Sequence, residues 1–205
     1  PGTTHQDALC HMSYNGQMYN GQPLNTTTCI PGIENLKDGI MTRGILIDIP
    51  RLKGVPYLEP GTNISSKDVE AWEKMAGVKV SSGDAIILRT GRWPRRTKVG
   101  PWKIIGHSSG FDLSMASWVK SRDVALAGGD NSVEMEWDPP LVEGNPVPLH
   151  TFFIVGLGMP IIDSFDPEAL AEIAARLHRW EFMLVVAPWR VPNGTASVIN
   201  PVAVF

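Results

Sequence analysis

Short apolar runs alternate with segments of helical character along this chain, and this alternation constrains the fold more than any other feature. Residues 44–49, 85–89, 124–127, 159–163 and 182–186 predict strands, and the first two runs are apolar enough to be buried on both faces. Runs of this kind are typical of a sheet whose strands are separated by helices.

Four segments between these runs carry the signals of helices. Residues 65–76 start with two serines that suit a helix N-cap and are followed by Gly77, a residue that ends helices. The clearest pattern covers 167–179, with proline in the first turn, and weaker ones cover 113–121 and 148–156. We therefore predict an α/β fold with a mixed sheet partly covered by helices.

The bulk composition fits one domain over residues 1–205. The chain is 43% hydrophobic and 19% charged, with a formal net charge of -3, so it can bury a real core, and nothing favours nucleic acid or a membrane surface as a partner. Two cysteines, Cys10 and Cys29, do not suggest a disulfide scaffold, so we expect reduced thiols and a cytoplasmic location. Cys10 is then interpreted as a small buried residue, and the alternative interpretation is a soft metal ligand.

Two histidines and an aspartate lie within seven positions near the start of the chain. His5 and Asp7 are two residues apart, so on a strand they point to the same face, and a bend could return His11 towards them. Imidazole nitrogen and carboxylate oxygen are ligands for Zn²⁺ or Mn²⁺. The spacing leaves two interpretations: a metal site, or a solvated loop in which Asp7 caps the residues that follow.

A metal site needs partners from elsewhere in the chain. His150, at the start of a predicted helix, and Asp163, at the end of a predicted strand, are the first candidates, while Asp130 and Glu134 follow another strand. His178 lies late in a predicted helix and is interpreted as a surface residue. No nucleophile elbow or phosphate-binding glycine loop is present, so metal-assisted chemistry is the sharpest enzyme hypothesis.

A basic cluster between residues 89 and 98 is interpreted as a solvated loop after a strand. The alternative is a single arginine that reaches an anionic group of a substrate. Trp93, Trp102 and Phe111 are candidates for an aromatic pocket wall, and core packing is the alternative use of each.

The opening segment resembles the metal-dependent hydrolases of the cyclase family, which include kynurenine formamidases and isatin hydrolases. The family signature His-x-Gly-Thr-His-x-Asp-x-Pro-x-His is matched in its core by Thr4, His5, Asp7 and His11. Further segments that resemble the family span the rest of the chain: Leu88–Gly91, Val124–Asp130, Pro148–Asp166, Glu181–Pro188 and Asn200–Ala203.

This resemblance implies a swivelling β/β/α-type fold, a homodimer or homotetramer, and a divalent metal, Mn or Zn. His5 and Asp7 would be metal ligands, His150 and Asp163 would complete or line a second metal position, and His11 would be the general base. The implied reaction is hydrolysis of a small cyclic or aryl amide, or a lactone, through a metal-activated water.

The chain departs from the family pattern at three places. Proline at position 1 stands where the family has its first histidine, Leu9 replaces the proline of the motif, and Asp163 stands where glutamate is usual. Family members are also longer at the N-terminus, so we expect an N-terminal part of the family domain to be missing here, and the segment before Pro1 is either absent, disordered or cut away. Two other functions stay open: a non-catalytic small-molecule binding protein on the same scaffold, and a metal-dependent lyase.

Overall fold

A curled eight-stranded mixed sheet forms the centre of the molecule. The structure, a computed structural model, describes residues 3–25, 27–103, 107–135, 142 and 144–205. Ten strands are formed by these residues: β1 His5–Asp7, β2 Ile40–Asp48, β3 Asn63–Ile64, β4 Ala85–Arg89, β5 Gly110–Phe111, β6 Leu126–Gly129, β7 Ile161–Asp163, β8 Glu181–Val186, β9 Ala196–Val198 and β10 Val202–Val204.

Six α-helices lie between the strands. Their bounds are α1 Ile49–Lys53, α2 Ser66–Ala76, α3 Arg92–Val99, α4 Ser114–Arg122, α5 Pro148–Thr151 and α6 Glu168–Leu177. The last turn of α5 continues as a π-helix over Phe152–Gly156, and single 3₁₀ turns cover Tyr19–Gly21 and Ile33–Leu36.

The sheet has the order β10-β8-β2-β4-β6-β7-β1-β9, and β3 pairs with β5 in a separate ribbon. The four central strands β2, β4, β6 and β7 are parallel, whereas both flanks are antiparallel. The parallel strands are joined by helices, as parallel connections require. The predicted α/β fold with a mixed sheet and covering helices is confirmed.

Local sequence explains where the elements begin and end. Helix α2 starts with a complete capping box, in which the side chains of Ser65 and Asp68 each accept a backbone N–H of the other, and it ends at Gly77 in the left-handed conformation. The core lies on both faces of the central strands. Trp72 is fully buried there, donates from Nε1 to the carbonyl of Leu46 at 2.7 Å, and meets Trp180 edge-on.

The basic cluster is not the solvated loop that the sequence suggested. Arg92–Val99 is helix α3, and Arg92 is 4% exposed. Arg89 ends β4 and forms ion pairs with Asp48 and Glu168, each at 2.8 Å, which tie α6 to the sheet. The loop prediction failed because Arg89 is held by ion pairs and Arg92 donates from Nη1 to the backbone carbonyl of Asp130. These partners are distant in sequence, so the local pattern does not reveal them.

The expectation of two reduced cysteines is also wrong. A disulfide joins Cys10 to Cys29, with their Cα atoms 5.3 Å apart. The two cysteines lie in a small second core with Ala8, Met18 and Ile33. A cysteine in a disulfide offers no thiolate, so Cys10 is not a metal ligand.

Within the described part of the chain, no helix has the length and apolar character needed to cross a bilayer.

Candidate metal centre

Strand β1 presents His5 and Asp7 on one face, as their spacing predicted. The Nε2 atom of His5 lies 3.7 Å from Oδ1 of Asp7. The other ring nitrogen of His5, Nδ1, is 2.9 Å from the carbonyl of Thr3, and because a carbonyl only accepts, Nδ1 carries the proton. This contact leaves the lone pair of Nε2 directed towards Asp7, the tautomer of a metal-ligating histidine.

Asp163 reaches the same place from the neighbouring strand. The antiparallel pairing of β1 with β7 sets His5 directly opposite Asp163. One ligand atom from each of His5, Asp7 and Asp163 lies within 4.8 Å of the others. Asp163 therefore reaches the centre even though it is one methylene shorter than the glutamate of the family pattern.

The donor set has unused oxygens. Oδ1 of Asp7 and Oδ1 of Asp163 are buried, and neither has a hydrogen-bond partner. Buried carboxylate oxygens without donors are costly unless a cation satisfies them. One imidazole nitrogen and two carboxylates fit a divalent metal such as Zn²⁺ or Mn²⁺. We refer to His5, Asp7 and Asp163 as the His–Asp–Asp cluster.

His150 lies beside this cluster and holds Asp163. Its Nε2 is 3.0 Å from Oδ2 of Asp163, and its Nδ1 is 2.7 Å from Oε1 of Glu134. Burial by itself lowers the pKa of His150, but the two carboxylates outweigh burial and hold the pKa well above its ordinary value. Both ring nitrogens are thus occupied, and His150 lines the centre instead of offering a free lone pair.

Glu134 is the site residue that the sequence reasoning noticed without assigning. It is buried, and its carboxylate accepts from the backbone N–H of Leu149 and of His150, at 2.9 and 2.7 Å. These bonds fasten the start of α5 and orient the imidazole. The one signal in the sequence was its position shortly after β6.

His11 returns towards Asp7 through a turn. Its backbone N–H donates to the carbonyl of Ala8 at 3.0 Å, and its Nδ1 lies 3.8 Å from Oδ1 of Asp7. The His11 side chain is 36% exposed, so it can exchange protons with solvent. The disulfide at Cys10, the preceding residue, anchors this turn to Cys29.

Burial dominates the electrostatics of Asp7. The residue is 1% exposed, and burial raises the pKa of its carboxyl group, although His11 opposes that effect. A cation beside Asp7 would offset this cost, so the electrostatics agree with the donor geometry.

Asp130, a possible metal-site partner from its position in the sequence, instead holds the start of a helix. It is fully buried and accepts from the backbone N–H groups of Thr90, Gly91 and Arg92, at 2.8 to 3.0 Å. These are the donors at the start of α3, so Asp130 fixes that helix to the end of β6. It lies outside the His–Asp–Asp cluster.

The remaining candidate residues from the sequence lie outside the His–Asp–Asp cluster. Phe111 is buried in the main core, Trp93 donates from Nε1 to the carbonyl of Phe165, and Trp102 lines a small cavity beside α3. His178 is exposed at the end of α6, as predicted. Pro1, at the position of the family's first histidine, lies outside the described residues.

Comparison with known proteins identifies the family. The family model described as "Putative cyclase" matches residues 2–135, and the chain belongs to the cyclase family. A crystal structure described as a novel cyclase is 28% identical, with a TM-score of 0.84 over 98% of this chain and 67% of that chain.

More distant structures share the fold. Isatin hydrolase A from Ralstonia solanacearum is 18% identical, with a TM-score of 0.67 over 98% of this chain and 70% of that chain. A protein described as a potential metal-dependent hydrolase with cyclase activity is 16% identical, with a TM-score of 0.60 over 98% of this chain and 77% of that chain. No curated protein matches the sequence significantly.

Proposed function

We propose that this protein is a metal-dependent hydrolase that cleaves a small cyclic or aryl amide, or a lactone. The observation that carries the proposal is the convergence of His5, Asp7 and Asp163, with two carboxylate oxygens that have no donor. Membership of the cyclase family supports it, as do the names of the structural neighbours, since isatin is itself a cyclic aryl amide.

A divalent ion, Mn or Zn, would be held by the His–Asp–Asp cluster, where it would supply Lewis-acid chemistry to a carbonyl and to water. The surrounding residues prepare that position. Thr3 fixes the tautomer of His5 through its carbonyl, and His150, held by Glu134, keeps Asp163 in place. These contacts act before any substrate arrives, so the centre is preorganised.

His11 is our candidate for proton transfer. It is the most exposed of the three histidines at the site, with 36% of its side chain exposed against 18% for His5 and 7% for His150. As a general base it would take a proton from the attacking water, and as a general acid it would return that proton to the leaving nitrogen or oxygen. Its turn is anchored by the neighbouring disulfide, which favours a constant position relative to Asp7.

The proposal is tested by metal removal and by exchange of His11. Chelated protein should lose turnover of amide and lactone substrates and regain it with Mn²⁺ or Zn²⁺. His11→Gln should keep the metal and lose about 10²- to 10⁴-fold in kcat. His178→Asn is the matched control, because His178 is an exposed histidine at a left-handed position that Asn tolerates. Full turnover by chelated protein, or by His11→Gln, would refute the assignment.

A non-catalytic binding protein is the second candidate function. The observation in its favour is the proline at the position of the family's first histidine. Tight binding of Mn²⁺ or Zn²⁺ without hydrolysis of any amide, imide or lactone would support the binding protein. Elimination products without hydrolysis would instead indicate a metal-dependent lyase.

A homodimer or homotetramer is part of the proposal. Four exposed apolar side chains lie on β10, β8 and β2, the three neighbouring strands at one end of the sheet order: Met41, Met183, Val202 and Val204. Such a patch is typical of a surface covered by another subunit, and light scattering tests it. The cytoplasmic location stays a prediction, and the Cys10–Cys29 disulfide favours an oxidising compartment instead.

A further inference from the structure

Three asparagines of the chain stand in the acceptor pattern for N-linked glycans. The pattern is Asn-x-Ser/Thr, in which x is any residue except proline, and a glycosyl transferase reads it in proteins that are being secreted. It occurs as Asn25-Thr26-Thr27, Asn63-Ile64-Ser65 and Asn193-Gly194-Thr195. So short a pattern also arises by chance, and the surroundings of each asparagine in the fold decide which of the three is a site.

The fold leaves Asn25 and Asn193 at the surface, as the bulk of a glycan requires. Oδ1 of Asn25 accepts from the backbone N–H of Thr27 at 2.8 Å and from the hydroxyl of the same residue at 2.7 Å. Within the described residues, Nδ2 of Asn25 donates to no group, and a glycan is joined at this atom. Asn193 lies in a turn at a φ of 56°, a conformation that asparagine tolerates, and its side chain has no hydrogen-bond partner in the described part of the chain.

Asn63 has a different setting from the other two asparagines. It lies in β3, which pairs with β5, and the third residue of its pattern is Ser65. Serine and threonine have the side-chain hydroxyl in common, so the hydroxyl is what the pattern requires at that position. The hydroxyl of Ser65 donates to Oδ2 of Asp68 at 2.7 Å in the capping box of α2. Asn63 is therefore left out of the proposal and serves as a contrast within the same chain.

The disulfide lies between the two exposed asparagines. Asn25 shortly precedes Cys29, and the carbonyl of Gly194, the residue after Asn193, accepts from the backbone N–H of Ile33 at 2.9 Å. Ile33 and both cysteines belong to the small second core. Disulfides form and persist in the compartments through which proteins are secreted, and N-linked glycans are acquired there as well. The bond and the two acceptor patterns thus indicate the same compartment independently.

Exposed apolar side chains lie beside both asparagines. Asn25 lines an open groove of about 410 Å³ together with Leu24 and Ile30, which are half-exposed. Trp189, which precedes Asn193 by one turn of the loop, is 69% exposed. Exposed apolar surface of this kind favours association unless something covers it. A hydrated glycan joined to the adjacent asparagine covers such surface and keeps the protein soluble.

We propose that Asn25 and Asn193 are N-glycosylation sites and that the mature protein carries a glycan on each side of its disulfide. The donor is an oligosaccharide joined through a diphosphate to a polyprenol. Nδ2 of each asparagine forms a bond to the anomeric carbon of the first sugar and gives up one proton. The bond from that carbon to the diphosphate oxygen breaks, and the polyprenyl diphosphate leaves. The proposal does not depend on the hydrolase function, because neither asparagine belongs to the His–Asp–Asp cluster.

The first experiment examines the protein purified from its native source. Treatment with peptide N-glycosidase F in H₂¹⁸O converts each glycosylated asparagine to an ¹⁸O-labelled aspartate, which peptide mass spectrometry locates. We expect label at positions 25 and 193 and unmodified asparagine at position 63. A sample incubated without the enzyme is the control, because an Asn-Gly pair such as 193–194 also deamidates spontaneously. Unmodified asparagine at both positions would overturn the proposal, and label at only one of them would overturn it for the other.

The second experiment identifies the acceptor residues in protein secreted from eukaryotic cells. Treatment with the glycosidase should increase the gel mobility of the wild type, and Asn25→Asp and Asn193→Asp should each remove part of that change. Aspartate keeps the oxygen that accepts from Thr27, and it tolerates the left-handed conformation at position 193. Thr27→Ser and Thr195→Ser retain the hydroxyl of the pattern and are the matched controls, which should keep both glycans.

The two experiments decide different parts of the proposal. A change of mobility that persists in full in the Asn25→Asp/Asn193→Asp double variant would overturn the assignment to these residues. Glycans on the protein from the eukaryotic host, together with unmodified asparagines in the native protein, would overturn the proposal as a whole.

Discussion

Replacing Asp7 with Asn removes a metal ligand and, at the same time, an uncompensated buried charge. Asp7 is 1% exposed, its Oδ1 has no donor, and burial raises the pKa of its carboxyl group above 3.8. A raised pKa in the folded state means that this carboxyl stabilises the fold below pH 3.8 and that the contribution is lost as the pH rises through the folded value. Metal-free Asp7→Asn should therefore be more stable than metal-free wild type at pH 7.

The metal should reverse this order. A ligand present at 100 times its Kd stabilises the folded state by about 2.7 kcal/mol. For a domain of this size, 1 kcal/mol moves the Tm by about 2–4 °C, so the wild type should gain about 5–11 °C. Asp7→Asn lacks one of the three converging ligand groups and should gain little at the same metal concentration.

Differential scanning calorimetry of chelated and metal-loaded samples measures both effects. Asp38→Asn makes the same chemical change at an exposed aspartate and should behave as the wild type in both states. Two results would refute the reasoning: a metal-induced rise in Asp7→Asn equal to that of the wild type, or a metal-free Asp7→Asn protein that melts below the metal-free wild type.

Three further predictions concern the fold. Cys29→Ser removes the disulfide to Cys10, which is 19 residues away in sequence. This variant should lower the free energy of unfolding, measured by urea titration, by about 3 kcal/mol. Equal stability of the wild type with and without reductant would contradict this prediction. Asp68→Ala removes half of the capping box with Ser65 and should cost about 1 kcal/mol at pH 7. Burial opposes the effect, but hydrogen bonds lower the pKa of the Asp68 carboxyl group. Its contribution to the free energy of unfolding is therefore present above pH 3.8 and is lost as the pH falls further. A stability difference between Asp68→Ala and wild type that persists at pH 2 would contradict this. Trp72→Phe loses a buried hydrogen bond to the carbonyl of a β2 residue and part of an edge contact, and should cost about 2–4 kcal/mol, checked by urea unfolding.

The candidate site was predictable where its residues are close in sequence. His5 and Asp7 share a face because side chains alternate along a strand, and that rule needs no knowledge of the rest of the fold. The match of Thr4, His5, Asp7 and His11 to the cyclase motif added the expected chemistry. His150 and Asp163 were found as histidine and carboxylate at the ends of predicted elements, but their arrangement was not predictable.

The partners of the site were decided by strand register. Asp163 meets His5 because β7 pairs antiparallel with β1 across more than 150 residues of chain. Glu134 became visible as a site residue only when the start of α5 was seen to rest on its carboxylate. Register depends on long-range pairing and on which faces are buried, and one sequence does not reveal either.

The sequence by itself determined the α/β class, the capped helix α2, the buried strands β2 and β4, and the His5–Asp7 face. Each of these follows from periodicity or from a cap formed within a few residues. The tertiary structure alone decided that the basic segment is helix α3, that Cys10 and Cys29 are bonded, and that Arg92, Arg95 and Asn131 surround one cavity. Those outcomes depend on which distant groups pair or share a buried volume, and that pairing is set when the sheet assembles.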